Sequence, residues 1–435
     1  MTHTRHTARR PAIAQPPDPA VPAGPRRAPG SGGRAGSGGR PESGEPAPAL
    51  AAADRASGAP EVRAGSAAPR RAVWRAALRS RSGDGDALVP AVRPARAIAV
   101  VSALLIVAML VGTAVGPAGL SIPQVLGALA SRLPWHSHPS VSALDSAIVW
   151  QIRLPRVVLG VLVGSMLAGG GAAYQGVFRN PLADPYLLGI AAGAGLGATI
   201  VVVSGADMAL TPLAAFAGAV VAVVLTYAIG AGAGRRGELP SARAGTGSIL
   251  LAGIAVAALL TAFQTYLQQQ HTQALANVYA WILGGLSGAT WSQVWLILPY
   301  VVVAGVALLT HRRLLDVLQV GEDEATSLGV HVPRVRLAIV AAATLGVAAA
   351  VAVSGLIGFV GIIVPHAVRL TAGPSYRVLL PVSMLGGAAF LVLADVVART
   401  AQAPAEVPIG VITALIGAPF FLVVLRSRQG RQDLS

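Results

Sequence analysis

The amino-acid sequence predicts an all-α polytopic membrane protein with about ten transmembrane helices behind a disordered N-terminal tail. Three observations carry that reading. Of the 435 residues, 54% are hydrophobic. From about residue 97 to 425 one apolar run follows another, and a run of roughly 20 such residues crosses the ~30 Å hydrocarbon core of a bilayer. The 33 basic residues, all arginine, lie mostly in the tail and in the connections between runs. A formal charge of +15 suits nucleic acid as well as a membrane surface. Its placement argues for anionic lipid and against nucleic acid. The chain has no cysteine, which removes disulfides and thiolate metal sites.

Residues 1–96 are rich in Ala, Pro, Gly and Arg, with 16 Arg against 7 acidic residues. Such a segment buries too little apolar surface to offset the entropy of ordering, so a disordered cytoplasmic tail is expected. An amphipathic surface helix around Ala72 to Leu78, anchored by Trp74, is the alternative to a solvated tail. No apolar core of the signal-peptide kind lies near Met1.

Ten spans are expected at about 97–116, 155–178, 187–205, 209–232, 247–268, 293–310, 335–354, 356–371, 377–398 and 408–425. They form a membrane domain over 97–428, followed by a short tail over 429–435. An even number puts both termini on one side, and the basic tail makes that side cytoplasmic by the positive-inside rule. The connections agree. In this orientation 29 of the 33 arginines are cytoplasmic, and only Arg132, Arg153, Arg156 and Arg399 are external.

The second span opens on RLPR, residues 153–156, and carries Gly160, Gly164, Ala168, Gly169, Gly170 and Gly171. Small residues at spacing four let helices approach closely in lipid. Arg153 and Arg156, three apart, are placed to share one face at a helix start. Snorkelling anchors are one reading of the external arginines. A bidentate carboxylate-binding fork is the other.

Next comes the turn Asn180-Pro181-Leu182-Ala183-Asp184-Pro185. Its prolines stop the helix. Asn180 and Asp184 are suited to bond freed backbone amides, and Asp184 to cap the third span. Gln264, Gln268, Gln269 and Gln270 cluster at the outer end of span five. They are either a loop or a candidate pathway for polar ligands, with Gln264 and Gln268 the nearest to the span.

Between spans six and seven, residues 315–336 contain the acidic run Glu322, Asp323 and Glu324, bracketed by Gly321 and Gly329. That length suits one or two short helices. Further on, His366 follows Pro365 and is expected to be packed and hydrogen-bonded. Asp395 and Arg399, four apart, suit a helix-surface ion pair. Glu406 is expected to cap the tenth span. No G-x-x-x-x-G-K-[ST] phosphate loop occurs, so any ATP hydrolysis requires a partner.

Several of these blocks together resemble the FecCD-type permeases, the membrane subunits of ATP-binding-cassette importers for ferric siderophores, haem and vitamin B12. The blocks are residues 153–197; VGEDEATSLG, which resembles the family's "GEETAxSLG"; SGLIGFVGIIVPHAVRLTAGPSYR, which resembles "GFVGLIVPHxxR"; and DVVARTAQAPAEVPIGVITALIGAPFF, which resembles "LLADxxAR" and "ELPVGxxTAxxGxPxF". The family's "GxDHR" turn reads Gly373-Pro374-Ser375-Tyr376-Arg377 here, without its Asp and His.

The resemblance implies a type II ABC importer permease fold in the bacterial cytoplasmic membrane. Its partners would be a second permease copy or paralogue, a cytoplasmic ATPase dimer and an extracytoplasmic substrate-binding lipoprotein. The partner ATPase would use ATP and Mg, and this chain would bind no cofactor. Arg153, Arg156 and Arg399 would dock the binding protein. Gly321, Glu322, Asp323, Glu324, Ala325, Ser327, Leu328 and Gly329 would contact the ATPase. The expected cargo is a ferric siderophore, with cobalamin or haem as the alternative. An ion-driven secondary transporter would need a relay of embedded acids, and Asp395 alone is placed for that.

Overall fold

The computed structural model describes residues 94–116, 119–131, 142–232 and 246–432. The expectations for residues 1–93, for Arg132 and for Arg235, Arg236 and Arg243 lie outside them. Among the described residues every regular element is a helix, and there is no strand. In order come α1 (Pro94–Ala114), α2 (Ile122–Ala130), α3 (Ala143–Ala147), a π-helical turn (Ile148–Arg153) and α4 (Leu154–Val177). They are followed by α5 (Ile190–Ser204), α6 (Thr211–Gly232), α7 (Thr246–Gln270), α8 (Leu275–Ile282) and α9 (Trp291–Leu318). Then come α10 (Glu322–Ser327), α11 (Val332–Ser354), α12 (Val360–Ala372), α13 (Tyr376–Thr400) and α14 (Ile409–Gln432).

Each of the ten expected spans is a helix here. Seven apolar helical segments are long enough to cross a bilayer, and three apolar helices are shorter: Ile190–Ser204, Val360–Ala372 and Ile409–Val424. The chain is therefore a multi-pass membrane protein. Two further helices, α2 and α8, lie in stretches without a span-length apolar run.

α4 is the central helix, with 19 of its 24 residues buried. It packs against α9, α11, α12 and α13. Helices α5, α6 and α7 pack on one another, and α6 joins them to α11. Glycine makes the central contacts this close. A Cβ on Gly164 would overlap the carbonyl of Gly387 on α13, and one on Gly171 would overlap the backbone of Gly361 on α12.

One departure from plain spans matters for function. The eighth span begins only at Val360, so residues 355–359 are non-helical. In the expected topology this connection is external, whereas the turn after α4 is cytoplasmic. The two nevertheless meet. The Tyr186 hydroxyl donates to Ile357 O at 3.0 Å and accepts from Ile357 N at 3.1 Å. Gln175, near the end of α4, donates to Gly361 O at 3.1 Å. Gly171, fifteen residues along α4 from Arg156, is about 22 Å from it at helical rise. The connection therefore dips far into the bundle.

Broken backbone at such depth survives only where protein satisfies it. Here Tyr186 does so, as does the bond from Gly285 N to Ser354 O at 2.8 Å. Tyr186→Phe removes a donor and an acceptor from Ile357 together. A loss of about 1–3 kcal/mol is expected, read as the melting midpoint of the purified protein against wild type.

Candidate functional site

Two clusters hold most of the residues singled out by the sequence. The first gathers at the outer end of α4. The π-helical turn carries Arg153, the first turn of α4 carries Arg156, and the last turn of α13 carries Arg399. All three are buried, at 3%, 7% and 2% exposure, and Asp395 at 2% lies among them.

Arg156 grips two carboxylates. Its Nε donates to both oxygens of Asp395 at 3.0 Å, and Nη2 donates to Asp395 Oδ1 at 2.8 Å. Nη1 and Nη2 donate to the two oxygens of Glu406 at 2.7 and 3.0 Å. Arg399 Nε lies 3.5 Å from Asp395 Oδ2, the expected pair four residues apart. Its Nη2 donates to Gly112 O at 2.6 Å. Arg153 Nη1 donates to Thr113 O and Ala114 O at the end of α1. The network ties α1, α4, α13 and the segment before α14 together.

Sequence reasoning placed these arginines at helix ends on the outer face, and the fold brings them together. It does not present them as open forks, because their guanidinium groups face Asp395, Glu406 and the carbonyls of α1. Glu406 corrects a second expectation. It does not stand as a helix cap but closes on Arg156, 250 residues away in sequence, and no local pattern signals such a pair. Three guanidinium groups meet two carboxylates, so the cluster keeps one net positive charge.

The second cluster lies at the opposite ends of the spans. α10 is a six-residue helix between Gly321 at φ 142° and Gly329 at φ 82°. One short helix forms where one or two were expected. Ala325 is fully buried and pins it to the core, while Glu322, Asp323, Glu324, Ser327, Leu328 and Gly329 are exposed. The Glu322 carboxylate accepts from Arg336 Nη2 on the first turns of α11. It also lies 4.0 Å from Arg179 Nη2, just beyond α4.

Beside this cluster is the proline turn. Asn180 Oδ1 accepts from Leu182 N at 2.9 Å, and Asp184 Oδ1 accepts from Tyr186 N at 2.7 Å. Both bond freed amides, as expected. Asp184, however, caps the short 3-10 turn Pro185–Leu188, one step before the third span. Pro185 is buried against Gly361.

Burial pushes the Asp184 carboxyl up to about 6, opposed by the bond from Tyr186 N. The folded state therefore holds this proton more tightly than the unfolded chain. The contribution of Asp184 to stability falls as pH rises from about 4 to about 6. Asp184→Asn keeps the acceptor and flattens that slope, whereas Asp184→Ala loses the cap at a cost of about 1 kcal/mol. Melting midpoints on either side of this window check both outcomes.

The remaining sites are quieter. Gln264 is buried with its amide over Gly195 of α5, and Gln268, one turn on, is half-buried. Within one chain Gln264 thus fills a helix contact. His366 is buried with its ring edge-on to Phe420. No group of three or more His, Cys, Asp or Glu side chains suited to a metal occurs among the described residues.

A model of the FecCD transport family matches residues 104–427. The chain belongs to the FecCD transport family. It is 45% identical over 341 residues to the cobalamin import system permease protein BtuC of Halobacterium salinarum, covering 76% of this chain and 88% of that one. It is 38% identical to the hemin transport system permease protein HmuU of Yersinia pestis, covering 75% of this chain and 95% of the relative. It is also 34% identical to the Fe(3+)-citrate import system permease protein YfmE of Bacillus subtilis, covering 78% and 97%. Among solved structures, a metal-chelate type ABC transporter in an inward-facing conformation superposes with a TM-score of 0.66 at 27% identity, over 76% of this chain and 98% of that one.

The FecCD chain described here is thus an ABC importer permease. Both clusters, the proline turn and the broken eighth span lie inside the matched region.

Proposed function

We propose that this FecCD permease carries a metal chelate across the cytoplasmic membrane of a bacterium, driven by ATP hydrolysis in a partner chain. The observation that carries this reading is the arrangement of helices shared with 98% of a metal-chelate type ABC transporter chain. The cargo supported first is cobalamin, given 45% identity over 88% of a cobalamin permease. The ferric chelate expected from the sequence is the second reading, supported by 34% identity over 97% of an Fe(3+)-citrate permease.

The assembly pairs this chain with a second permease copy or a paralogue, two ATPase subunits and an extracytoplasmic binding protein. Both termini face the cytoplasm, an orientation supported by the arginine distribution. α10 then faces the ATPase and offers exposed Asp323, Ser327 and Leu328 as contacts. The outer arginine cluster, with one net positive charge, favours docking of an acidic binding-protein surface through its field. The subunit supplies a route and a lever, alternating between outward- and inward-facing states.

Uptake of labelled cobalamin and labelled ferric siderophore, run in parallel in a deletion strain and its complemented parent, tests the cargo. Loss of cobalamin uptake alone supports the first reading, and loss of iron uptake alone supports the second. Loss of neither rejects both.

A further inference from the structure

The acidic run on α10 looks uniform in sequence, but its three carboxylates do different things. Glu324 folds back over Gly321, where a Cβ would strike its carboxylate. Asp323 is exposed. Glu322 alone pairs with another element, accepting from Arg336 on α11 and lying 4.0 Å from Arg179 after α4. A six-residue helix between two left-handed glycines has little stability of its own, so its attachments decide what it moves. Those attachments are the buried methyl of Ala325 and the Glu322 carboxylate.

Arg336 needs this contact. It is 7% exposed, its Nη2 donates to Glu322, and its Nε has no hydrogen-bond partner. Arg179 sits at φ 49°, an uncommon conformation for a residue other than glycine, and its Nη2 lies 4.0 Å from the Glu322 carboxylate. α4 is the most deeply packed helix, and α11 packs directly against it.

We propose that Glu322 is a positioning residue that clasps α10 to α11 and α4 through Arg336 and Arg179, so that displacement of α10 moves both helices together. Asp323 and Leu328 are left facing outward for the partner. This rests on the reading of the chain as an importer permease and adds which residues inside it receive the motion.

The test uses the full chain reconstituted with its ATPase and binding protein. ATP-driven uptake by the wild-type assembly is established first, so that failure of the importer reading is separate from failure of this contact. The readout is cargo imported per ATP hydrolysed. Glu322→Gln and Arg336→Gln are each expected to lower this ratio about five- to tenfold, the low end of an ordinary coupling free energy. In Arg336→Gln, ATPase binding and ATP turnover persist.

The double variant is expected to be no worse than either single one. Exchanging the charges, with Glu322→Arg, Arg336→Glu and Arg179→Glu together, restores coupling. If Arg336→Gln fails to fold, Glu322→Gln and the exchange still decide the matter. An unchanged ratio in Glu322→Gln, additive single effects, or no recovery in the exchange overturns the proposal.

Discussion

Asp395→Ala is expected to destabilise the purified permease by about 3–5 kcal/mol, the range for removing one partner of a buried ion network. Asp395 is the only acid touching both Arg156 and Arg399 among the described residues. Without it, Arg399 keeps the carbonyl of Gly112, and Arg156 keeps Glu406. Buried Arg399 then touches no carboxylate, and Arg156 only the half-exposed Glu406.

Asp395→Asn retains one acceptor oxygen for Arg156 but not the charge, so its loss is expected to be smaller. Arg399→Leu added to Asp395→Ala is expected to recover part of the loss, because it removes one uncompensated cation. Thermal unfolding in detergent, with all four proteins side by side, gives the order. A change within about 0.5 kcal/mol for Asp395→Ala, as for an ordinary surface substitution, would show that the network contributes no stability.

The second large effect is expected at Gly171. A Cβ there meets the carbonyl and Cα of Gly361, and backbone cannot rotate away as a side chain can. Gly171→Val therefore pushes α12 from α4, and with it the connection that Tyr186 and Gln175 hold. Overpacking a core ordinarily costs about 1–3 kcal/mol, and a backbone neighbour places this site at or above that range.

Two comparisons isolate the cause. Gly169→Ala meets the flexible Met384 side chain at 2.8 Å, and methionine adapts its shape, so a modest loss is expected. Gly288→Ala meets nothing within 4 Å and is expected to be neutral. Yields of monodisperse protein and melting midpoints should follow that order. Equal behaviour of Gly171→Val and Gly288→Ala would contradict the close approach of α4 and α12.

Hydropathy made the ten spans legible, because lipid forces each to be a continuous apolar helix. The pairing of Asp395 with Arg399 was legible for a similar local reason, four residues being one helical turn. What eluded the sequence was non-local. Arg156 and Glu406 meet only once α4 and the segment before α14 are packed. Apolar composition runs across residues 354–360, so the sequence places a break near residue 355 but does not signal that five residues leave the helix. That break exists because Tyr186, from a distant turn, supplies the hydrogen bonds. The short helices α2 and α8 have no span-length apolar run to reveal them. The acidic run on α10 was visible as charge, but Arg336 was read only as a cytoplasmic cation. Its burial against Glu322 depends on the fold.

ATP-driven import by this chain is read directly as uptake into proteoliposomes. They would contain this chain with its ATPase, with the binding protein and labelled cobalamin or ferric siderophore outside. One cargo is expected to accumulate with Mg-ATP and not with a non-hydrolysable analogue, and uptake is expected to stop when the ATPase is left out. Uptake that proceeds without the ATPase and follows an ion gradient would contradict ATP-driven import.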